Sequence, residues 1–381
     1  MTGTAGNQDT AGDLSDRYEV VVVGGGQAGL AIGYFLAQQG RRFRILEATD
    51  APAGAWRARW DSLKLFTPVR YDSLPGRPFP GDPDTYPGRD EVVAYLTDYA
   101  RAFELPVELN SPVRAVRRAD GGYLVDLDDR SYAAEQVVIA TGPFHVPRLP
   151  PIARPLDPRI VQFHSTDYRR PDQVPSGPVL VVGGGNTGFQ IAEELTRTRE
   201  VHLSLSSRQT PLPQRIAGRD LFRYLEALGL MRVTVDSRLG QRLRYRETLI
   251  GSSPSAARRR HGIHLRGRTV DAQGPEVAFA DGSRMAPAAV IWATGFAVDH
   301  SFVQVPVFDD AARLMHHRGV TAAPGLYFLG LTWQHTRGSA LLGWVKDDAE
   351  FIAARIAAYA DGKPATAVAQ VATGERPPRG T

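Results

Sequence analysis

The sequence contains no cysteine, which removes disulfides, zinc-thiolate sites and thiol redox catalysis together. Lysine is almost missing as well (Lys64, Lys346 and Lys363), so arginine carries the positive charge of a chain whose formal net charge is +4. No basic run is interleaved with aromatics as a single-strand nucleic-acid binder requires. The Arg-rich stretch from Arg242 to Arg268, with ARRRHGIHLRGR within it, reads as a solvated loop, the alternative being a nucleic-acid surface. No segment reaches the eighteen or so consecutive apolar residues of a membrane span. The N-terminal MTGTAGNQDTAGDLSDR lacks the apolar segment of a signal peptide. A cytoplasmic protein is expected, with no nucleic-acid or membrane partner and no bound metal.

What is present is an ordinary globular composition: 381 residues, 43% hydrophobic and 23% charged, enough for two or three domains with their own cores. Two stretches repeat one pattern. In the first, the apolar YEVVVV from Tyr18 to Val23 suits a parallel strand buried on both faces. Gly24, Gly26 and Gly29 follow as G-x-G-x-x-G; a helical pattern from Leu30 to Gln39 ends at Gly40, and a second strand, RFRILE, closes on Glu47. The first glycine permits the tight turn, the second lets the backbone approach a pyrophosphate, and the third lets the helix pack against the strand. Gln27 and Ala28, between the second and third glycines, join the cofactor-binding set beside the helix's positive end, where phosphates settle on free N–H groups. Glu47, twenty-three positions after Gly24, places a carboxylate where an adenosine ribose offers its hydroxyls.

The second copy runs from a strand at Pro178 to Val182 through Gly183, Gly185 and Gly188, with Asn186 and Thr187 opening its helix, to the strand VHLSLSSR. The position equivalent to Glu47 is Ser206, followed by Ser207 and Arg208. Hydroxyls and a guanidinium accept a 2′-phosphate that an acid would repel. The first site is therefore assigned to FAD and the second to NADPH, with NADH possible and a merely solvated Arg208 as the alternative. Two further apolar strands, VVIATGPF (Val137 to Phe144) and VIWATGF (Val290 to Phe296), end in the same Ala-Thr-Gly. Such a turn lets the chain leave a sheet close to a nucleotide, which adds Ala140, Thr141, Gly142, Thr294 and Gly295 to the cofactor set. The fold expected is α/β: two nested Rossmann-like dinucleotide-binding domains of the three-layer type. An FAD-binding domain spans 17–150 and 286–360, an NADPH-binding domain 151–285 is inserted in it, and the proline-rich PRLPPIARPLDP (Pro147 to Pro158) forms a stiff crossing. A disordered leader (1–16) and a flexible tail (361–381) flank them.

In GAWRARWDSLKLFTP (Gly54 to Pro68), LPGRPFPGDPDTYPGRDEVVAYL (Leu74 to Leu96), FHSTDY (Phe163 to Tyr168) and PGLYFLGLTWQHTRGSALLGWVKDDAE (Pro324 to Glu350) the chain resembles the class B flavin-containing monooxygenases, in particular their small bacterial branch of the CzcO type. The resemblance implies that Trp56 lines the FAD, that Val113 lies by its adenine and that the C-terminal stretch covers the flavin ring. It is incomplete. Of the family fingerprint F-x-G-x-x-x-H plus an aromatic, His164 and Tyr168 match, whereas Pro158 and Ile160 stand for Phe and Gly. Tyr168 replaces the tryptophan of Baeyer–Villiger members, and Pro68 follows Thr67 where larger members carry asparagine.

A flavin beside a nicotinamide means hydride transfer, and the electrons then go to a disulfide, a protein acceptor or oxygen. Without cysteine the first route closes, and oxygen is the best of the rest. The resemblance implies a C4a-hydroperoxide of the reduced flavin, sheltered from water, that oxygenates a thioether, an amine or a ketone. Thr67 and His335, with Gln334 beside it, are the catalytic candidates, His335 having a plain capping or packing role as its alternative. A helix beginning near Ser339 is expected to aim its N-terminus at the flavin. Trp56, Trp60, Phe66, Trp333 and Trp344 supply a dry wall or simply core. Partners are molecular oxygen and a small organic substrate, in a monomer or homodimer. The competing reading is an NAD(P)H oxidase or a nicotinamide-sensing regulatory flavoprotein linked to transport.

Overall fold

A computed structural model describes residues 17–245 and 248–362. The leader expected over 1–16 lies outside the described residues, as does the expected tail apart from Asp361 and Gly362. Strand β1 (Arg17–Val23) is followed by helix α1 (Gln27–Gln38) and strand β2 (Phe43–Leu46), which pairs with β1 in parallel. β3 (Val107–Glu108) extends that edge. β4 (Ala115–Ala119) and β5 (Gly122–Asp126) form an antiparallel meander with the first part of β6 (Ser131–Ile139), which runs parallel to β1 along its whole length.

The chain leaves this sheet through β7 (Val146–Pro147) and builds a second one from β8 (Val161–His164), β9 (Val179–Val182), β10 (Val201–Ser204), β11 (His264–Arg266) and β12 (Ala289–Trp292). All its pairs are parallel, in the order β11-β10-β9-β12-β8, and helix α2 (Asn186–Leu195) follows β9. β13 (Phe296–Ala297) pairs antiparallel with β7, so exit and return lie side by side. β14 (Val303–Gln304) then joins β4, β15 (Leu326–Phe328) joins β6, and helix α3 (Val345–Ala360) packs on α1.

This topology corrects one expected boundary. A return to the first unit at residue 286 comes too early, because β12 lies in the middle of the second sheet between β9 and β8. All four of its residues are buried, Ala289 and Ile291 in the cluster on the α2 face and Val290 and Trp292 in the cluster on the other. The chain re-enters the first sheet only with β14.

The period of two along each strand sorts the core. Val20 and Val22 face α1 and α3 together with Leu30, Ile32, Ile352 and Ile356, whereas Val21 and Val23 face the other side with Val137 and Phe328. In the second sheet Val179 and Val181 meet Phe189 and Ile191 of α2, and Leu180 and Val182 meet Trp292 on the opposite face. At about 1.5–3 kcal/mol for each large apolar side chain fully buried, both strands are pinned in register before any ligand is considered. Among the described residues no helix is long and apolar enough to cross a membrane.

Candidate functional site

Each glycine turn is built for close backbone contact. Gly24 turns the chain out of β1 with φ +111°, and a Cβ on it would lie 2.6 Å from the Ala140 carbonyl oxygen; a Cβ on Gly29 would lie 1.9 Å from the oxygen of Gly24. The second turn repeats this with φ +131° at Gly183, a Cβ of which would lie 2.1 Å from the Ala293 oxygen, and with Gly188 at 2.0 Å from the Gly183 oxygen. Ala140 and Ala293, from the two Ala-Thr-Gly segments, thus occupy equivalent places.

The middle glycines differ from these in kind. Nothing lies within 4 Å of a Cβ at Gly26 or Gly185, and neither α1 nor α2 has a side-chain cap. The first N–H groups of both helices therefore face open space at the positive end of a helix dipole, which fits a pyrophosphate at each. The Thr141 hydroxyl is buried without a partner, a second mark of a missing polar group beside the first turn. Its counterpart is already committed, for Thr294 Oγ1 donates to the Arg148 carbonyl on the crossing. Gly142 and Gly295 both turn with positive φ, +74° and +77°.

Glu47 directly follows β2 and is buried: Oε2 accepts from Gly25 N at 2.8 Å, and Oε1 from the Thr49 amide at 3.0 Å and hydroxyl at 2.7 Å. It locks the turn and keeps its remaining lone pairs for a ribose. Trp56, on the short helix Gly54–Arg57, donates from Nε1 to Gln27 Oε1 at 3.0 Å, and Gln27 Nε2 donates to the Ala340 oxygen at 2.9 Å. Ala28 is buried, and a Cβ on Gly330 would approach it to 2.9 Å. Val113 is partly buried against the core that holds Leu46 and Ile139.

In the second turn Asn186 spends its amide on the protein: Nδ2 donates to the Thr248 oxygen at 3.3 Å and Oδ1 accepts from Ile250 N at 2.9 Å. Thr187 is half-buried beside it. β10 stops at Ser204 instead of running through Arg208, which leaves Ser206, Ser207 and Arg208 exposed on the loop beyond. Among the described residues Arg208 has no hydrogen-bond or ion-pair partner.

The three catalytic candidates fall in two places. Thr67 is buried and donates to Asp72 Oδ1 at 2.6 Å. Asp72 is fully buried, its Oδ2 has no partner, and burial pushes its carboxyl up to about 8. Gln334 and His335 instead line a cavity of about 350 Å³ with Trp333, His300, His316 and Arg318; Thr67 is not among its walls. Gln334 holds the loop, accepting from Leu331 N at 3.2 Å and donating to the Arg318 oxygen at 3.4 Å. His335 accepts at its carbonyl from Val235 N at 2.7 Å, while burial, and then Arg318, hold its ring below the usual histidine range. Burial brings His300 and His316 down to about 4, so these two imidazoles are neutral at pH 7. Trp333 takes the left-handed region, φ +56°, a strained state for a bulky residue.

The helix expected near Ser339 is a four-residue 3₁₀ turn, Arg337–Ala340, and the α-helix begins only at Val345. The reason lies between them. A Cβ at Gly343 would lie 1.6 Å from the Tyr71 carbonyl oxygen, so the backbone there is pressed onto another segment and leaves the helical path at Leu341. Among the tryptophans, Trp60 and Trp344 sit in apolar clusters, Trp344 stacked on Tyr71 at 5.5 Å, and Phe66 stacks on Phe222 at 6.0 Å. The fingerprint residues brace the second turn from within: His164 Nε2 bonds the Gly295 oxygen at 3.0 Å, and the Tyr168 hydroxyl donates to Glu194 of α2 at 2.7 Å.

Away from the turns, Glu200, His202 and His264 gather at the start of β10 and β11. Arg266 Nε donates to His202 Nδ1 at 3.1 Å, which leaves the proton on Nε2, 3.0 Å from Glu200. The group is a hydrogen-bonded imidazole stack in this state, not a set of free metal ligands. The arginines of helix Pro254–His261 are exposed.

The burial of Asp72 beside Thr67, and the contact of Arg337 with Thr248 across the two units, were not legible in the sequence. Nothing in the composition around either one announces burial, and both stand out only once their neighbours are known.

Comparison with known proteins agrees with this geometry. Residues 21–217 match the family described as pyridine nucleotide-disulphide oxidoreductase. A CzcO-like oxidoreductase of Geobacillus kaustophilus is 44% identical over 336 residues, covering 88% of this chain and 97% of that one; CzcO of Bacillus subtilis is 39% identical over 88% and 98%. Among solved structures, a flavin-containing monooxygenase from Stenotrophomonas maltophilia superposes with a TM-score of 0.77 at 29% identity, covering 91% of this chain and 99% of that one. The chain therefore belongs to the pyridine nucleotide-disulphide oxidoreductase family and, within it, to the CzcO-like branch of flavin-dependent, monooxygenase-like oxidoreductases.

Proposed function

We propose that this protein is an FAD- and NADPH-dependent monooxygenase that places one oxygen atom of O₂ on a small soft nucleophile, a thioether or amine, or on a ketone, and releases the other as water. One observation carries the reading: two open, uncapped helix N-termini, each behind its own glycine turn, are joined through one contact, for Gln27 holds the Ala340 carbonyl in the first unit, Asn186 holds the Thr248 carbonyl in the second, and Arg337 donates across to the Thr248 hydroxyl. The first unit holds FAD and the second NADPH. Bound there, FAD would supply acceptance of a hydride from the nicotinamide and delivery of its electrons to oxygen.

The chain's own residues position and shelter that chemistry. Amides at Gly26 and Gln27 and the Thr141 hydroxyl receive the first dinucleotide, and Glu47 its ribose. The cavity beside the Gly330–His335 loop offers neutral imidazoles and the Trp333 face to a small substrate. The likeness to the S. maltophilia flavin-containing monooxygenase supports this choice of reaction.

The test is a coupling assay. FAD-loaded protein supplied with NADPH, oxygen and a panel of thioethers, amines and ketones should form an oxygenated product in proportion to NADPH consumed. Hydrogen peroxide as the sole product across the panel would instead identify an NADPH oxidase. The nucleotide preference has a separate check. Arg208→Ala should raise the KM for NADPH about 10–100-fold, the loss of one charge-assisted phosphate contact, and leave that for NADH unchanged. An equal rise for both would remove the 2′-phosphate assignment.

A further inference from the structure

Arg337 stands where the two units meet. Among the described residues its guanidinium has one polar partner, the Thr248 hydroxyl at 3.2 Å, and no carboxylate. Arg318 on the cavity wall, by contrast, is paired with Asp348 at 2.8 Å. A guanidinium carries five N–H donors, and burial pulls this one below the ordinary arginine range. A half-buried cation with most of its donors unspent among the described residues is a place for an oxyanion, and the planar fork suits a phosphate.

The surrounding bonds say which phosphate. The turn that carries Arg337 is held from the first unit by Gln27, the first residue of α1. The side chain, however, crosses to Thr248, whose carbonyl is held by Asn186, the first residue of α2. The same loop is tied to the second unit by the Val235 amide on the His335 oxygen and by a bridge between Thr234 and Thr336. Asn186 directly follows Gly185, beside which a Cβ would meet nothing.

We infer that Arg337, carried on the C-terminal loop of the first unit, is a ligand for the pyrophosphate of the pyridine nucleotide seated in the second unit, closing that site from across the junction. This rests on the proposed assignment of the nucleotide to the second glycine turn. The arrangement makes binding of the reductant and apposition of the two units one event, because the charge that completes the site comes from the unit that holds the flavin.

The experiment titrates FAD-loaded wild-type, Arg337→Ala and Arg337→Lys proteins with NADP⁺, NAD⁺ and 2′-AMP by calorimetry, and records the flavin absorbance and retained FAD of each. Arg337→Ala should weaken NADP⁺ and NAD⁺ by the same factor, about 10–100-fold, and leave 2′-AMP, which has no pyrophosphate, within about twofold. Arg337→Lys keeps charge and bulk without the fork, so it should show a smaller loss with the same pattern, and it decides the matter if the alanine variant does not fold. Affinity for NADP⁺ kept within about twofold in the variants would overturn the proposal, and so would a loss confined to FAD retention, which would assign the guanidinium to the flavin. Wild-type protein that takes up no flavin would instead defeat the functional reading beneath it.

Discussion

Gly29→Ala should yield a protein without bound flavin, whereas Gly188→Ala should yield a yellow protein that NADPH does not reduce. The two substitutions are chemically identical and act on equivalent contacts, with the new Cβ 1.9 Å from the Gly24 oxygen in one case and 2.0 Å from the Gly183 oxygen in the other. Both oxygens are backbone atoms in the turn itself, so relief comes only from moving the helix away from its strand. That movement carries the open N–H groups off the phosphates they would hold. Overpacking of this kind costs about 1–3 kcal/mol and sometimes more, and all of it falls on the turn. The loss expected is at least about 10–100-fold in affinity for the dinucleotide concerned.

The readouts are flavin content by absorbance and flavin bleaching under anaerobic NADPH, with a thermal melt showing that each variant is folded. A colourless Gly188→Ala protein together with a flavin-replete Gly29→Ala protein would exchange the two cofactor assignments.

The second large effect is on stability. In the folded state burial holds the Asp72 carboxyl at about 8 against an ordinary value of 3.8. Between those two values the unfolded chain has lost the proton while the folded chain still carries it. Stability therefore falls as pH rises through this window, is greatest below pH 4, and has lost its full share once pH passes the folded value. At about 1.4 kcal/mol for each pH unit, the cost by pH 8 reaches at most about 5 kcal/mol.

Asparagine matches the neutral carboxyl in shape and still accepts from Thr67, but it never has to ionise. Asp72→Asn should melt several degrees higher than wild type at pH 8 to 9, the gap closing toward pH 4. Melting curves across pH 4 to 9 test this. A variant destabilised by the same amount at every pH would show that the folded carboxyl is ionised and held by some other group.

How much of this was legible beforehand follows from the range of the forces involved. Both strand–turn–helix–strand units could be read from the spacing of Gly24, Gly26 and Gly29 and of Gly183, Gly185 and Gly188, because a tight turn feeding a helix is a local matter. The apolar runs of β1 and β9 likewise announced burial on two faces. Helix boundaries near Gly40 followed too, since that residue takes φ +65°, which glycine adopts without cost.

Pairing was not local. β12 is as apolar as the Val137–Ile139 end of β6, and nothing in its own residues says which sheet receives it, so the expected boundary at 286 fell on the wrong side of it. The start of α3 was misplaced for a related reason, because only the approach of Gly343 to Tyr71 breaks the chain after Ala340. Thr67 and His335 looked like neighbours of one pocket, yet one faces a buried carboxyl and the other a histidine-lined cavity.

What the amino-acid order determined alone, then, is the doubled glycine turn and the exclusion of thiol chemistry: each depends on residue type and on spacing within a few dozen positions. What only the tertiary structure decided is electrostatic. Arg337 is one of many arginines until folding half-buries it with a single hydroxyl partner among the described residues, and Asp72 is one of many acids until its solvent is removed, because the free energy of a charge depends on what surrounds it and those surroundings are assembled from distant parts of the chain.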